Sequence, residues 1–261
     1  MIDHAQLRAI VARAGDIAMA CWPGQGGEHK PLDVWEKSPD NPVCSADLAV
    51  DAFLREQLGA LLPSAGWLSE ETVDSPLRQG GSLIWLVDPI DGTRDYIHGR
   101  AGWAVSVALI SAGRPLIGML AAPARGEFWE ARAGQGAFLN DEPIHASRRD
   151  TLAGARVPAR SLPTEDADLI MVEQPNSIAL RIAMVADNRA DLVATLRWGF
   201  EWDIGAATLI AREAGAAVSD AFGKTLDYNK VDPRAFGVVV CAPAIHGAVV
   251  ERLADRAARL V

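Results

Sequence analysis

The chain has 261 residues, 49% of them hydrophobic and 23% charged, with a mean hydropathy of +0.08. At about 150 residues per domain that length fits one large domain or two small ones, and the composition excludes a disordered chain, a collagen-like chain and a coiled coil. A net charge of −9 and a pI near 5.1 argue against a nonspecific nucleic-acid binder, which needs a basic face to displace counterions, but not against a phosphorylated small molecule, because a bound metal can supply positive charge.

Taken in chain order, residues 3–21 set Leu7, Ile10, Val11, Ala14, Ile17 and Ala18 on one helical face, and Cys21-Trp22-Pro23-Gly24 ends that helix. Residues 23–44, rich in Gly, Pro and charge, read as an exposed loop. Ser45 or Asp47 can cap a second helix with Leu48, Phe53, Leu54, Leu58, Leu61 and Leu62 apolar, stopped by Pro63. Leu83 to Val87 reads as an apolar strand. Trp103, Val105, Val107 and Leu109 alternate as another, answered by Leu116 to Ala121. The stretch Ala101 to Ala124 is the most membrane-like, but Gly113-Arg114-Pro115 cuts it into runs too short to span a bilayer, so it reads as a buried hairpin. Residues 127–140 suggest a strand and the turn Gly134-Gln135-Gly136. Residues 141–168 look polar and irregular. Leu169 to Val172 reads as a strand, 177–186 and 204–214 as helices, and Val238 to Cys241 as a strand. Residues 245–260 form a closing helix with Ile245, Val249 and Leu253 in one packing stripe. This order suggests an α/β protein with two unlike sheets, divided near residue 150 into 1–150 and 151–261.

The 3 cysteines, Cys21, Cys44 and Cys241, include no CxxC pair. They read as reduced thiols in a cytosolic protein rather than a disulfide or zinc framework. The charged N-terminal segment has no signal-peptide core.

The chemistry concentrates in four acidic places. The strongest is Trp85-Leu86-Val87-Asp88-Pro89-Ile90-Asp91-Gly92-Thr93, where an apolar strand delivers Asp88 and Asp91 into a tight turn. Two carboxylates so close repel unless a cation sits between them, and hard divalent cations such as Mg²⁺ take oxygen ligands of this kind. A helix starting at Thr93 would add an anion site beside the metal. The others are Leu68-Ser69-Glu70-Glu71-Thr72, Cys44-Ser45-Ala46-Asp47 and Glu201-Trp202-Asp203-Ile204-Gly205. Each alone reads as a surface acidic pair or an ordinary N-cap.

Together, these segments resemble the inositol monophosphatase superfamily of magnesium-dependent, lithium-sensitive phosphatases, over nearly the whole chain. Asp88-Pro89-Ile90-Asp91-Gly92-Thr93 matches the family's DPxDGT segment, Glu70-Glu71 its upstream acidic pair, Trp202-Asp203 its C-terminal WD, and Pro42-Val43-Cys44-Ser45-Ala46-Asp47 its P-V-T-x-A-D segment. The resemblance implies a layered αβαβα sandwich. It implies that Glu70, Asp88, the Ile90 carbonyl, Asp91 and Asp203 ligate two or three Mg²⁺ ions. Asp47 and Thr93 would pair to orient and deprotonate the attacking water, with Glu70 counted among the catalytic groups. The Gly92 and Thr93 amides would hold phosphate, with Asp203 and Arg197 also on the substrate. A cytoplasmic homodimer acting on a small phosphorylated metabolite, without a membrane span or nucleic-acid polymer, follows from the same likeness.

Three positions depart from the family pattern. Cys44 stands where Thr is usual, Tyr96 where Phe is usual, and Leu196-Arg197-Trp198 precedes WD where inositol-selective members carry a Glu. Arg and Trp suit a nucleotide, as a cation for a second phosphate and a ring for a base, though Trp198 reads equally as packing. Lys37-Ser38-Pro39-Asp40-Asn41-Pro42-Val43 and Arg197-Trp198-Gly199 resemble the branch that hydrolyses 3′(2′),5′-bisphosphate nucleosides. Inositol-1-phosphate, histidinol phosphate and fructose-1,6-bisphosphate are the alternative substrates. A catalytically silent phosphate-binding scaffold conflicts with the four intact acidic segments. A Rossmann-type protein conflicts with Gly24-Gln25-Gly26-Gly27 following a helix.

Overall fold

The computed structural model describes residues 2–26, 31–39 and 41–261. Asp40 of the Lys37–Val43 segment and Gly27 of the glycine-rich stretch lie outside them.

Helix α1 (His4–Met19) is capped by Asp3, whose carboxylate accepts from the Gln6 N–H, and it buries Leu7, Ile10, Val11, Ala14 and Ala18. It stops short of residue 21, and Trp22 turns in beside Trp103, ring centroids 6.3 Å apart. Residues expected as loop contain a hairpin, β1 (Val34–Ser38) against β2 (Asn41–Cys44). Every β1 residue is exposed, so no apolar alternation marks the strand in the sequence. Helix α2 (Ser45–Leu61) begins one residue after Cys44, so Cys44 rather than Ser45 or Asp47 is the N-cap. Asp47 is the third helical residue, and its carboxylate reaches back to the Cys44 N–H at 2.8 Å.

The main sheet has seven strands in chain order: β3 (Gly66–Ser69), β4 (Leu83–Asp91), β5 (Ala104–Ser111), β6 (Arg114–Ala122), β7 (Glu127–Arg132), β8 (Ala137–Leu139) and β9 (Glu142–Ile144). Only the β3–β4 pair is parallel. The short helix α3 (Thr93–Ile97) follows β4. The region expected to be irregular holds β9 and β10 (Arg156–Pro158), the latter paired in parallel with β11 (Ile170–Val172). Then come α4 (Ile178–Ala186), β12 (Leu192–Ala194), β13 (Trp198–Phe200), α5 (Glu201–Glu213), β14 (Ala217–Ser219), β15 (Arg234–Phe236), β16 (Val239–Cys241) and α6 (His246–Ala258). Strands β12, β16 and β14 make a second, antiparallel sheet.

Strand alternation sorts these elements into layers. Trp85 and Val87 of β4 point to one face and pack with α1 and α2, in a cluster that includes Leu54 and Leu58. Ile84 and Leu86 point to the other face, against α4 and α5. Val240 reaches the same cluster from the second sheet, while its neighbours Val239 and Cys241 face Ile245, Val249 and Leu253 of α6. The result is an αβαβα sandwich whose largest core draws side chains from both sides of residue 150. Helix α5 lies very close on β6: a Cβ added at Gly118 would come 2.6 Å from the Ala206 carbonyl oxygen. Tyr96 is fully buried, edge-on to Trp103 at 4.9 Å, and its hydroxyl donates to the Ala18 carbonyl at 2.6 Å near the end of α1. The phenol thus adds a bond to an end-of-helix carbonyl that also accepts from the Cys21 N–H at 3.1 Å. Among the described residues no helix is long and apolar enough to cross a membrane.

Candidate active site

The site forms at the end of β4, between the two helical layers. Alternation sends Asp88 to the same face as Leu86, the face covered by α5. The antiparallel register slips between Asp88 and Asp91, and the Asp88 carboxylate accepts from the Ile90 N–H at 3.0 Å. Gly92 then takes a left-handed conformation, φ 97°, and a Cβ there would lie 2.6 Å from the Gly102 carbonyl oxygen. Only glycine satisfies both conditions.

One carboxylate oxygen from each of Glu70, Asp88 and Asp203 lies within 4.8 Å of the others. Glu70 comes from just beyond β3, where its N–H donates to the Val87 carbonyl at 3.3 Å. Asp203 is the third residue of α5 and accepts from the Phe200 N–H at 3.1 Å. Burial pushes both Asp88 and Asp203 well above the usual carboxylate range, and the neighbouring carboxylates add to the shift. The donors are all hard oxygens carrying excess negative charge, which fits a hard divalent cation. The Lys37 ammonium bridges the acidic pair, 2.9 Å from Glu70 Oε1 and 2.7 Å from Glu71 Oε1.

These acids line a cavity of about 290 Å³ together with Ile90, Asp91, Gly92, Thr93, Arg94, Asn176 and Arg197. Asp91 shares the cavity but turns its carboxylate to the start of α4. There it accepts from the Ser177 hydroxyl, from the Ala179 N–H at 2.7 Å and from the Ile178 N–H at 3.4 Å. It is not one of the three clustered carboxylates. The Ile90 carbonyl accepts from the Thr93 hydroxyl at 3.0 Å.

Asp47 and Thr93, 46 residues apart, meet: Thr93 Oγ1 lies 3.4 Å from Asp47 Oδ1. The other oxygen, Oδ2, accepts from both the Cys44 N–H and the Cys44 thiol, at 2.8 and 2.9 Å. Burial lifts Asp47 to about 7 even though the Cys44 bonds pull it down. A carboxylate so placed can accept a proton near neutral pH.

Two cations, Arg94 and Arg197, share the cavity lining with the acids. Outside that lining, burial lowers the Arg181 pKa, and Arg197 and Arg160 lower it further by repulsion. Its guanidinium donates to the Pro175 and Asn176 carbonyls at 2.7 and 2.6 Å. Trp198 does not share this face. In the β13–β15 pair it sits opposite Phe236, under the Arg234 guanidinium and 51% exposed, one residue out of phase with Arg197. Arg181, Ser177 and Asn176 went unnoticed in the sequence. Arg181 follows an ordinary N-cap serine by four residues, and nothing local ties it to a turn nearly a hundred residues earlier.

The sequence matches the inositol monophosphatase family over residues 4–258. It is 32% identical over 242 residues to the 3′(2′),5′-bisphosphate nucleotidase CysQ of Escherichia coli K12, covering 88% of this chain and 94% of that protein. It is 33% identical to an inositol-1-monophosphatase of Mesorhizobium japonicum, covering 76% and 79%. The fold superposes on an IMPase of Thermotoga maritima with a TM-score of 0.82 at 24% identity, covering 98% of each chain.

Proposed function

The chain belongs to the inositol monophosphatase family of phosphatases, and within it we propose that this enzyme is a 3′(2′),5′-bisphosphate nucleotidase, converting adenosine 3′,5′-bisphosphate to AMP and phosphate. The observation that carries this reading is the pair of cations, Arg94 and Arg197, that line the cavity beside the acids. Arg181 lies near enough to Arg197 to be repelled by it. A monophosphate held by a metal needs no second group of cations, whereas a second phosphate does. Similarity to the E. coli nucleotidase supports the same substrate. Leu196, at the spacing of the inositol-selective Glu, packs against apolar side chains and offers no carboxylate to sugar hydroxyls.

In this reading Glu70, Asp88 and Asp203 would hold Mg²⁺, with Asp91 and the Ile90 carbonyl beside them, two or three ions per site. Bound there, Mg²⁺ would supply charge neutralisation for the phosphoryl oxygens and lower the pKa of a nearby water. Thr93 Oγ1 receives a proton from a water in the cavity and passes its own to Asp47 Oδ1. Cys44 keeps the other carboxylate oxygen occupied, so the basic oxygen faces Thr93. Gly92 and Thr93 place backbone amides where the phosphate sits, and Arg197 positions the second phosphate. The working form is a cytoplasmic homodimer.

A phosphate-release panel with Mg²⁺ tests the assignment across adenosine 3′,5′-bisphosphate, inositol-1-phosphate, histidinol phosphate and fructose-1,6-bisphosphate. The nucleotide should give the highest kcat/KM, and Arg197→Ala should raise its KM by about tenfold or more, the worth of a charge-assisted bond. A higher kcat/KM for inositol-1-phosphate in the unmodified enzyme refutes the assignment.

A further inference from the structure

Asp51 lies one turn after Asp47 on the same face of α2, and it is almost wholly buried. Its two oxygens accept from two hydroxyls: Oδ1 from Ser69 and Oδ2 from Thr72, the latter at 2.8 Å. Those residues bracket Glu70 and Glu71. Alternation along β3 explains the arrangement: Leu68 joins the α5-side core, Ser69 points back to α2, and Glu70 points again toward Asp88 and Asp203. The Ser69 hydroxyl also accepts from the Glu71 N–H at 3.4 Å.

Strand β3 is four residues long and lies at the edge of the sheet. Beyond it, Glu70 has one backbone ladder bond, to Val87. A tether anchored in the opposite helix fixes the segment on both sides of Glu70.

We propose that Asp51 is a positioning residue for the metal centre, clamping the Ser69–Thr72 segment from below so that Glu70 is already in place when the cation arrives. The proposal rests on the reading of Glu70 as a metal-facing carboxylate, not on the identity of the substrate. Supporting partners behind a ligand commonly change metal affinity by 10–100-fold.

The test is calorimetric titration of the whole, metal-stripped protein with Mg²⁺ alone. Asp51→Ala should raise the Mg²⁺ Kd about tenfold or more. Asp51→Asn, which keeps one acceptor, should restore part of that loss. Thr72→Val removes one hydroxyl from a half-exposed loop, keeps the protein folded and should raise Kd by about threefold. Leu58→Ala, on the same helix but in the core, should lower the melting temperature at least as much as Asp51→Ala while binding Mg²⁺ like the unmodified protein. Unchanged Kd in Thr72→Val and in whichever Asp51 variants fold overturns the proposal. So does a Leu58→Ala protein that binds Mg²⁺ as weakly as Asp51→Ala, which would make the clamp a matter of stability only. An unmodified protein that does not bind Mg²⁺ overturns it together with the metal reading. Failure to turn over the nucleotide, by contrast, refutes only the substrate.

Discussion

Stripping the divalent cation and raising the pH should load Asp47, Asp88, Asp91 and Asp203 with like charge that the protein interior cannot solvate. Asp47 sets the scale. Its ordinary value is near 3.8, and burial lifts it to about 7. Below pH 4 both the folded and unfolded chains hold the proton, and Asp47 contributes nothing to pH dependence. Between pH 4 and 7 the unfolded chain releases the proton while the folded one keeps it, so stability falls as pH rises. Three units at 1.36 kcal/mol each give about 4 kcal/mol, lost in full above pH 7. Asp88, Asp91 and Asp203 are raised as well and push in the same direction. Acids held low by arginines, such as the buried Asp191 at about 2 beside Arg156, finish titrating below pH 5 and leave this window clear. Two of those units, about 2.7 kcal/mol, fall between pH 5 and 8, so at 2–4 °C per kcal/mol for a chain of this size melting in EDTA should drop by about 5–10 °C over that range from Asp47 alone. Millimolar Mg²⁺ should restore most of that loss at pH 8 and little at pH 5, where protons compete for the same oxygens. Scanning calorimetry across this grid is the assay. A melting temperature in EDTA that stays flat or rises from pH 5 to 8, or an equal Mg²⁺ gain at both ends, refutes the reasoning.

Asp88→Asn should abolish phosphate release, because a neutral amide is a far weaker ligand for a hard divalent cation than a carboxylate, yet it should melt higher than the unmodified protein in EDTA at pH 8; full turnover at saturating Mg²⁺ would sink the metal assignment. Asp47→Asn and Thr93→Ala should each lower kcat by about 10²-fold or more with little change in KM. The double variant should be scarcely worse than the worse single one, since the two act as a unit. A normal kcat for Asp47→Asn would reduce Asp47 to part of a helix cap.

The parts of the molecule visible in the sequence are those whose physics is local or motif-borne. The helical stripe at Leu7, Ile10, Val11 and Ala14 and the alternation at Trp103 to Leu109 each reflect burial on one face, which leaves a period in the residues. The Asp88–Thr93 turn was legible because its Pro, Gly and paired acids constrain one another within six residues. The hairpin at 34–44 was not, because β1 is exposed throughout and carries no period. The limits of α1 shifted because Trp22 is held by Trp103, a tertiary contact. Nothing local distinguishes Asp51 from any other polar residue on α2, and its partners Ser69 and Thr72, at and just beyond the end of β3, are brought beneath it only by folding. The direction of Asp91 escaped for the same reason, since its partners begin a helix 86 residues later. Trp198 invited a role in base stacking, and only the register of β13 with β15 shows it on the face away from Arg197.

The close seat of α5 on β6 acts as a ruler for the acids. Asp203 stands one turn before Ala206, whose carbonyl nearly touches Gly118. The height of that carboxylate above the sheet, and so its distance from Asp88, is set by main chain against main chain, the thinnest contact a polypeptide can make. Core side chains elsewhere can grow or shrink by a methylene and be absorbed by their neighbours. One carbon at position 118 would meet an oxygen at 2.6 Å, and relief to an ordinary separation of ~3.5 Å would lift the helix by about 1 Å. Metal–oxygen distances tolerate about 0.2 Å. The spacing of two of the clustered carboxylates is therefore gauged by the absence of a side chain, on a strand that contributes no oxygen to them.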